Sequence, residues 1–294
     1  MSLRPRILKE QARQAMKQAS TPPTLVTLAY ILLTTVLVEV VYNILPGGQG
    51  MLSLFLSILL TMYQIVMDFG YASWSLDVAD HQDGGIPSLL DGFGMVGRVL
   101  LVKLHTALGI FARSLLLVIS YALVISSVAY LSPVGLGVVL TVLLTLLFFI
   151  ALAFLTLRYS LAPFVLCDYP EGGSLIAVHR SLELTQRNCW ALFKLCLSFW
   201  PWYLLQAVIA LVVGVITMGS AISTLPALYA GPDLDAFATG VSTVVTGMLT
   251  STLAAMLVLP IQLFLRPYQS IALAKFYRAL SPLPAGQSGT DFTP

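Results

Sequence analysis

Apolar stretches long enough to cross a bilayer recur along this chain, and the basic residues fall on alternate connectors between them. Crossing takes about 20 consecutive apolar residues in a helix. The connectors at 46–50 and 132–134 carry no Lys or Arg, and 219–238 carries only Asp233 and Asp235. All 15 Lys and Arg residues lie in the N-terminal arm, the other connectors, the C-terminal segment or the helix ends beside them. Such a bias in Lys and Arg sets membrane orientation, so the basic side is expected to be the cytoplasm. The composition agrees: 58% of residues are hydrophobic and 10% charged, and mean hydropathy is +0.90. Soluble domains carry about 25% charged residues. Lipid must cover the excess apolar surface.

The expected fold class is an all-α membrane protein. It has six transmembrane helices, amphipathic interfacial helices on the cytoplasmic side, and both termini cytoplasmic. The spans are expected at 25–45, 51–67 with a more polar continuation to 79, 114–131, 134–157, 195–218 and 239–265. Lys103, His105 and Arg113 interrupt the approach to the third, which places 99–113 obliquely at the interface. Pro163 is expected to kink 159–167, and Pro201 the start of the fifth span. Three segments result: a basic cytoplasmic helix within 1–23, a membrane domain over 24–280 and a disordered tail over 281–294. Basic residues spread through the first twenty positions, so the first apolar stretch is expected to stay as an anchor rather than act as a cleaved leader.

Within 1–23, Lys9, Arg13 and Lys17 repeat every four residues, and Leu8, Ala12, Ala15 and Ala19 form an apolar stripe. Basic side chains at that spacing suit anionic headgroups. Arg180, Arg187 and Lys194 are placed in the same lipid-interface role.

Residues 69–104 and 159–195 look alike. Each has acidic residues before a glycine pair: Asp80, Asp83 and Gly84-Gly85, then Asp168, Glu171 and Gly172-Gly173. Each continues into an expected amphipathic helix and ends at a Lys-Leu pair, Lys103-Leu104 or Lys194-Leu195. In the second, Leu175, Val178 and Leu182 form the apolar face and Arg180, Glu183 and Arg187 the opposite one. The pattern is a possible parallel internal repeat.

Two acidic residues are candidate substrate or ion sites. Glu39 lies inside the first span, and an ionisable residue there is a functional hypothesis by default. Asp68 lies at the inner end of the second span, with Arg158 or Arg266 as expected ion-pair partners. The 77–83 stretch holds Asp77, Asp80, His81 and Asp83 without regular metal-loop spacing. No nucleophile motif or phosphate loop is present. The expectation is therefore no enzyme, no cofactor and no metal. The partners expected are membrane lipids and a protein on the cytoplasmic side, not nucleic acid. The alternative function is a small secondary transporter or channel using Glu39.

The chain also resembles a known family, the bacterial multi-pass membrane proteins of domain of unknown function 975. The residues that carry the likeness are Leu8-Lys9-Glu10-Gln11-Ala12, Asp91-Gly92-Phe93, Tyr159-Ser160-Leu161-Ala162-Pro163-Phe164 and Asp168-Tyr169-Pro170-Glu171. Ser181-Leu182-Glu183-Leu184 and the 192–199 block continue it. The membrane domain of some glycerophosphodiester phosphodiesterases is a looser match in pattern. The family pattern has glycine at Arg187 and at Pro201, so the interfacial helix here is expected to run straight into the fifth span. The resemblance implies a polytopic protein of the bacterial inner membrane and brings no catalytic residue with it.

Overall fold

Pro5 and Pro23 each open a helix, where a missing N–H costs nothing because no carbonyl precedes it. In this computed structural model, which describes residues 4–44, 51–82, 84–131, 133–228 and 234–281, every described element is helical. The chain runs α1 (Pro5–Gln18), α2 (Pro23–Ile31), a π-turn at Leu32–Val36, α3 (Leu37–Ile44) and α4 (Met51–Ala79). A 3-10 turn at Ile86–Leu90 leads to α5 (Asp91–Gly94), α6 (Val96–Leu131) and α7 (Val134–Leu157). Then come α8 (Ala162–Asp168), a 3-10 turn at Pro170–Gly172, α9 (Gly173–Gln186), α10 (Cys189–Leu197), α11 (Trp200–Leu228) and α12 (Leu234–Leu280). Asp83, the expected connector at 46–50, residues 229–233 of the expected 219–238 connector, Ser132 and most of the expected tail lie outside the described residues, and the rest of 219–238 is helical within α11 and α12.

Five of these helices are long and apolar enough to cross a membrane, and six if the bent pair Cys189–Leu197 and Trp200–Val215 is one span, among the described residues. The expected interruption of the third span does not occur. Val96–Leu131 is one helix of 36 residues, about 54 Å long at 1.5 Å per residue. That is longer than the ~30 Å hydrocarbon core, so Lys103 and Arg113 are carried on a helix with length to spare and no break. The expected straight run into the fifth span also fails. The helix breaks after Gln186 and again after Leu197, and at the second break, just before Pro201 in the first turn of α11, the two helices are bent by 46°.

Among the described residues, those within 4–195 and 270–281 form one packing unit, and those within 196–269 a second. In the first, α2 meets α4 through an aromatic seam. Tyr30 and Tyr71 lie with centroids 4.7 Å apart, Tyr71 and Trp74 5.2 Å apart, and Trp74 is fully buried. Tyr63 donates from α4 to the Leu33 carbonyl at 3.2 Å, inside the π-turn, where the backbone register is already interrupted. α1 lays its Leu8, Ala12 and Ala15 stripe onto the protein, as expected from its spacing, and its neighbour is α4. In the second unit, Phe199 meets Tyr268 edge-on at 5.3 Å, and Tyr203 donates to Gln269 Oε1 at 2.8 Å.

The expected amphipathic helices take other forms. The first is the Ile86–Leu90 turn plus the single turn of α5. Leu89 and Gly92 are buried there, while Phe93 is exposed. A Cβ on Gly70 would lie 2.0 Å from the Leu89 carbonyl oxygen, and one on Gly92 2.6 Å from that of Val66, so the two glycines let this turn lie directly on α4. The second, α9, forms, with Val178 of the expected apolar face buried and Arg180, Glu183 and Arg187 exposed. Ala177, Val178, Ser181 and Thr185 are buried, while Leu175 is 66% exposed. In lipid, small and hydroxyl side chains make the helix contacts and large apolar ones can face outward.

The reason for that inward face lies at the expected Pro163 kink, which is a full break. α7 stops at Leu157, and Pro163 sits in the first turn of the new helix α8. The Ala162 N–H bonds to the Tyr159 carbonyl, not to that of Arg158. Ser181 and Thr185 donate their hydroxyls to the Arg158 carbonyl, each at 3.1 Å. A carbonyl released by the break thereby finds partners, as buried backbone must.

Candidate functional site

Two arrangements draw on the sequence blocks that were singled out, and both lie within the first unit. One is an ion cluster where α4 and α8 end. Asp80 follows the last residue of α4, and Asp168 is the last of α8. A carboxylate at a helix C-terminus is poorly placed against the backbone dipole. Arg278, near the end of α12, offsets both charges. Its Nε donates to both oxygens of Asp80 at 2.9 Å, and its Nη2 to Asp80 Oδ2 at 2.6 Å. Nη1 and Nη2 also reach Asp168 at 2.6 and 2.9 Å. Tyr277 donates its hydroxyl to Asp168 at 2.6 Å. The three charged side chains are only 11 to 14% exposed. Lys275 donates to the Ala79 carbonyl and so caps α4.

The chain leaves α4 through a Schellman turn. Gln82 N–H bonds to Asp77 O and His81 N–H to Val78 O, with His81 at φ +60° in the position glycine usually takes. After α8, the second glycine of the pair, Gly173, takes φ +76°. Asp80 and Asp168, paired by their places before the two glycine pairs, thus meet at one guanidinium. Asp91 lies near this end of α4, where Ser73 donates to it at 3.3 Å and partial burial raises its carboxyl above the ordinary range.

The second arrangement is a cavity of about 260 Å³ between α4, α6 and the α7–α8 break. Ile65, Phe69, Val99, Val102, Ile110 and Leu166 give it apolar walls. Asp68, Lys103, Thr106, Tyr159 and Ser160 add polar groups. Tyr30 donates its hydroxyl to Asp68, so the expected guanidinium partner gives way to a phenol. Asp68 and Lys103 line the same space without forming an ion pair. Thr106 Oγ1 is buried and has no hydrogen-bond partner in the protein. Arg113 lies over the Tyr159 ring at 5.5 Å, just beyond the cavity.

The other sequence candidates are dispersed. Glu39 is on an exposed face of α3 and lines neither this cavity nor the polar one formed by Gln11, Gln14, Gln18, His81 and Lys275. Arg13 and Lys17 are exposed on α1, and Lys9 is half-buried, which lowers its ammonium pKa. Arg180 stands over the Tyr169 ring at 4.9 Å and Lys194 over that of Trp190 at 5.3 Å; both are exposed, as is Arg187. Glu183 lies 3.3 Å from His179 on the exposed side of α9. No group of three or more His, Cys, Asp or Glu residues is arranged to hold a metal ion, among the described residues.

The sequence reading took Lys103 as a polar interruption of a span and did not single out Thr106. The Asp80–Arg278–Asp168 cluster had one visible sign, the equivalent places of the two aspartates before their glycine pairs. The 159–168 motif supplies both arrangements: Tyr159, Ser160 and Pro163 to the cavity, and Asp168 to the cluster.

Neither a curated protein nor a solved structure matches the chain. A family model does, over residues 4–283, a span that includes every residue of the cavity and of the ion cluster. By that match the chain belongs to the family described as protein of unknown function DUF975.

Proposed function

We propose that this chain is a non-catalytic accessory protein of the bacterial inner membrane that binds phospholipid headgroups at its cytoplasmic face. The observation that carries the reading is the cavity beside Asp68 and Lys103. Apolar walls with a few converging polar groups are the usual composition of a small-molecule site. Its place supports a lipid. The residues of α4 before Asp68 form a long apolar run, and the cavity-lining part of α6 precedes the apolar run of that helix. The cavity therefore sits where spans pass from hydrocarbon to headgroups. Drug-sized ligands occupy pockets of about 300–1,000 Å³, so a 260 Å³ cavity takes a headgroup while the acyl chains stay in the bilayer.

The basic side chains fit the same role. Lys9, Arg13 and Lys17 on α1, with Arg180, Arg187 and Lys194 on or beside α9 and α10, would hold the cytoplasmic surface against anionic lipid, each worth about 1 kcal/mol near that surface. The exposed Leu175 and Ile176 would dip into the interface beside them. A transport role would centre on Glu39, which lines neither of the two cavities described above.

The test is lipid retention by purified protein, read by native mass spectrometry. Wild type is expected to carry phospholipid through detergent exchange. Val102→Trp, which fills the cavity from a buried wall position, is expected to lose it. Equal retention by a folded Val102→Trp protein would overturn the reading.

A further inference from the structure

We propose that this cavity selects a headgroup bearing both a primary ammonium and a phosphate ester, the chemistry of an ethanolamine phosphate; the proposal rests on the headgroup-binding reading above. Asp68 and Lys103 place opposite charges on one small cavity without neutralising each other. An ionised carboxylate at the edge of the hydrocarbon needs a partner. Tyr30 gives Asp68 one hydrogen bond, and a carboxylate has about four acceptor positions. The remaining positions suit the three donors of an ammonium group. Lys103 offers a phosphate a point charge on a flexible stem.

Thr106 points to the same ligand. A helical threonine commonly donates to the carbonyl four residues back, as Thr34 and Thr145 do here at 2.7 Å. Thr106 makes no such bond, although its oxygen is buried and it lines the cavity. A buried hydroxyl without a partner is costly. A phosphate oxygen beside Lys103 would accept its proton. The Tyr159 hydroxyl lies at the cavity as well, against Gly109, where a Cβ would stand only 2.6 Å from it. An anionic headgroup without an amine leaves Asp68 facing like charge. A trimethylated amine offers Asp68 no N–H donor.

The experiment titrates the purified full chain with short-chain phosphatidylethanolamine, phosphatidylcholine and phosphatidylglycerol, read by native mass spectrometry. Wild type is expected to favour the ethanolamine lipid by roughly tenfold over each of the others. Asp68→Asn should abolish that preference. Lys103→Gln changes an exposed side chain and should weaken all three lipids alike. Soluble glycerophosphoethanolamine provides the second arm. If it displaces the lipid, the site reads the headgroup wherever it comes from; if it does not, the site needs the membrane-borne form. Equal binding of the three lipids by wild type, or an unchanged preference in Asp68→Asn, overturns the proposal. Should Val102→Trp lose all lipid while wild type shows no preference, headgroup binding stands and the selectivity fails. Should a folded Val102→Trp bind all three as wild type does, the site itself fails.

Discussion

Removing the Arg278 guanidinium should be the most destabilising single change at the ends of α4 and α8. Arg278→Met keeps a long apolar side chain but leaves Asp80 and Asp168 facing each other. Those carboxylates are 11 and 14% exposed, so water cannot replace the five hydrogen bonds the guanidinium gives them. Breaking a buried ion pair from one side costs about 3–5 kcal/mol. The residual exposure, and the ability of one carboxyl to take up a proton, put the expected value near the lower end, about 3 kcal/mol. For a protein of 150–250 residues each kcal/mol shifts Tm by about 2–4 °C, so thermal unfolding in one fixed detergent should fall by roughly 6–12 °C. Adding Asp80→Asn and Asp168→Asn removes the stranded charges and should recover most of the loss, because a buried pair replaced as a unit is often neutral. Arg278→Lys should fall between, since an ammonium cannot span both carboxylates with a planar fork. If Arg278→Met unfolds within about 1 °C of wild type, the cluster does not hold these helix ends. If the triple variant is no better than the single one, the cost has another source.

Gly70→Ala should destabilise by about 1–3 kcal/mol, since the new methyl meets the Leu89 carbonyl and the turn must lift off α4; Gly92→Ala should do the same against Val66, and unchanged unfolding of both would contradict that close approach. His81→Gly should stabilise by roughly 1 kcal/mol by relieving a left-handed non-glycine residue, and a clear loss in the same melt would show that the imidazole contributes more than its backbone costs.

The apolar runs announced the spans, because hydrocarbon thickness acts on each helix separately and needs no tertiary knowledge. The Leu8, Ala12 and Ala15 stripe of α1 was legible for a similar reason, since that helix is polar and buries one face. On α9 the same rule found Val178 and the exposed Arg180, Glu183 and Arg187, but not the hydroxyls packed inward. Leu175 and Leu182 resemble the buried face of a soluble helix, yet the neighbouring chain selects Ser181 and Thr185, which can answer the Arg158 carbonyl. Nothing local to α9 reveals that carbonyl; it depends on a break more than twenty positions earlier in the chain. The interruption expected in the third span reflected Lys103, His105 and Arg113, which one 36-residue helix carries without a break. The cavity was beyond sequence reasoning because its polar groups come from separate helices. Asp68 was singled out as a lone acid in a span, while Lys103 and Thr106 gain meaning only from the space they share with it. Arg278 was likewise an ordinary basic residue near a helix end until two aspartates, each before a glycine pair, met on it.

The most direct test of headgroup binding is photocrosslinking with a phospholipid that carries a diazirine close to its glycerol, followed by peptide mapping. Labelling is expected to concentrate on Ile65, Val99 and Ile110 at the cavity wall, and to fall when Val102→Trp fills the space. Equal labelling of Leu116, Leu143 and Leu147, whose exposed side chains lie elsewhere on α6 and α7, with no change in Val102→Trp, would show lipid merely surrounding the helices and would contradict the account.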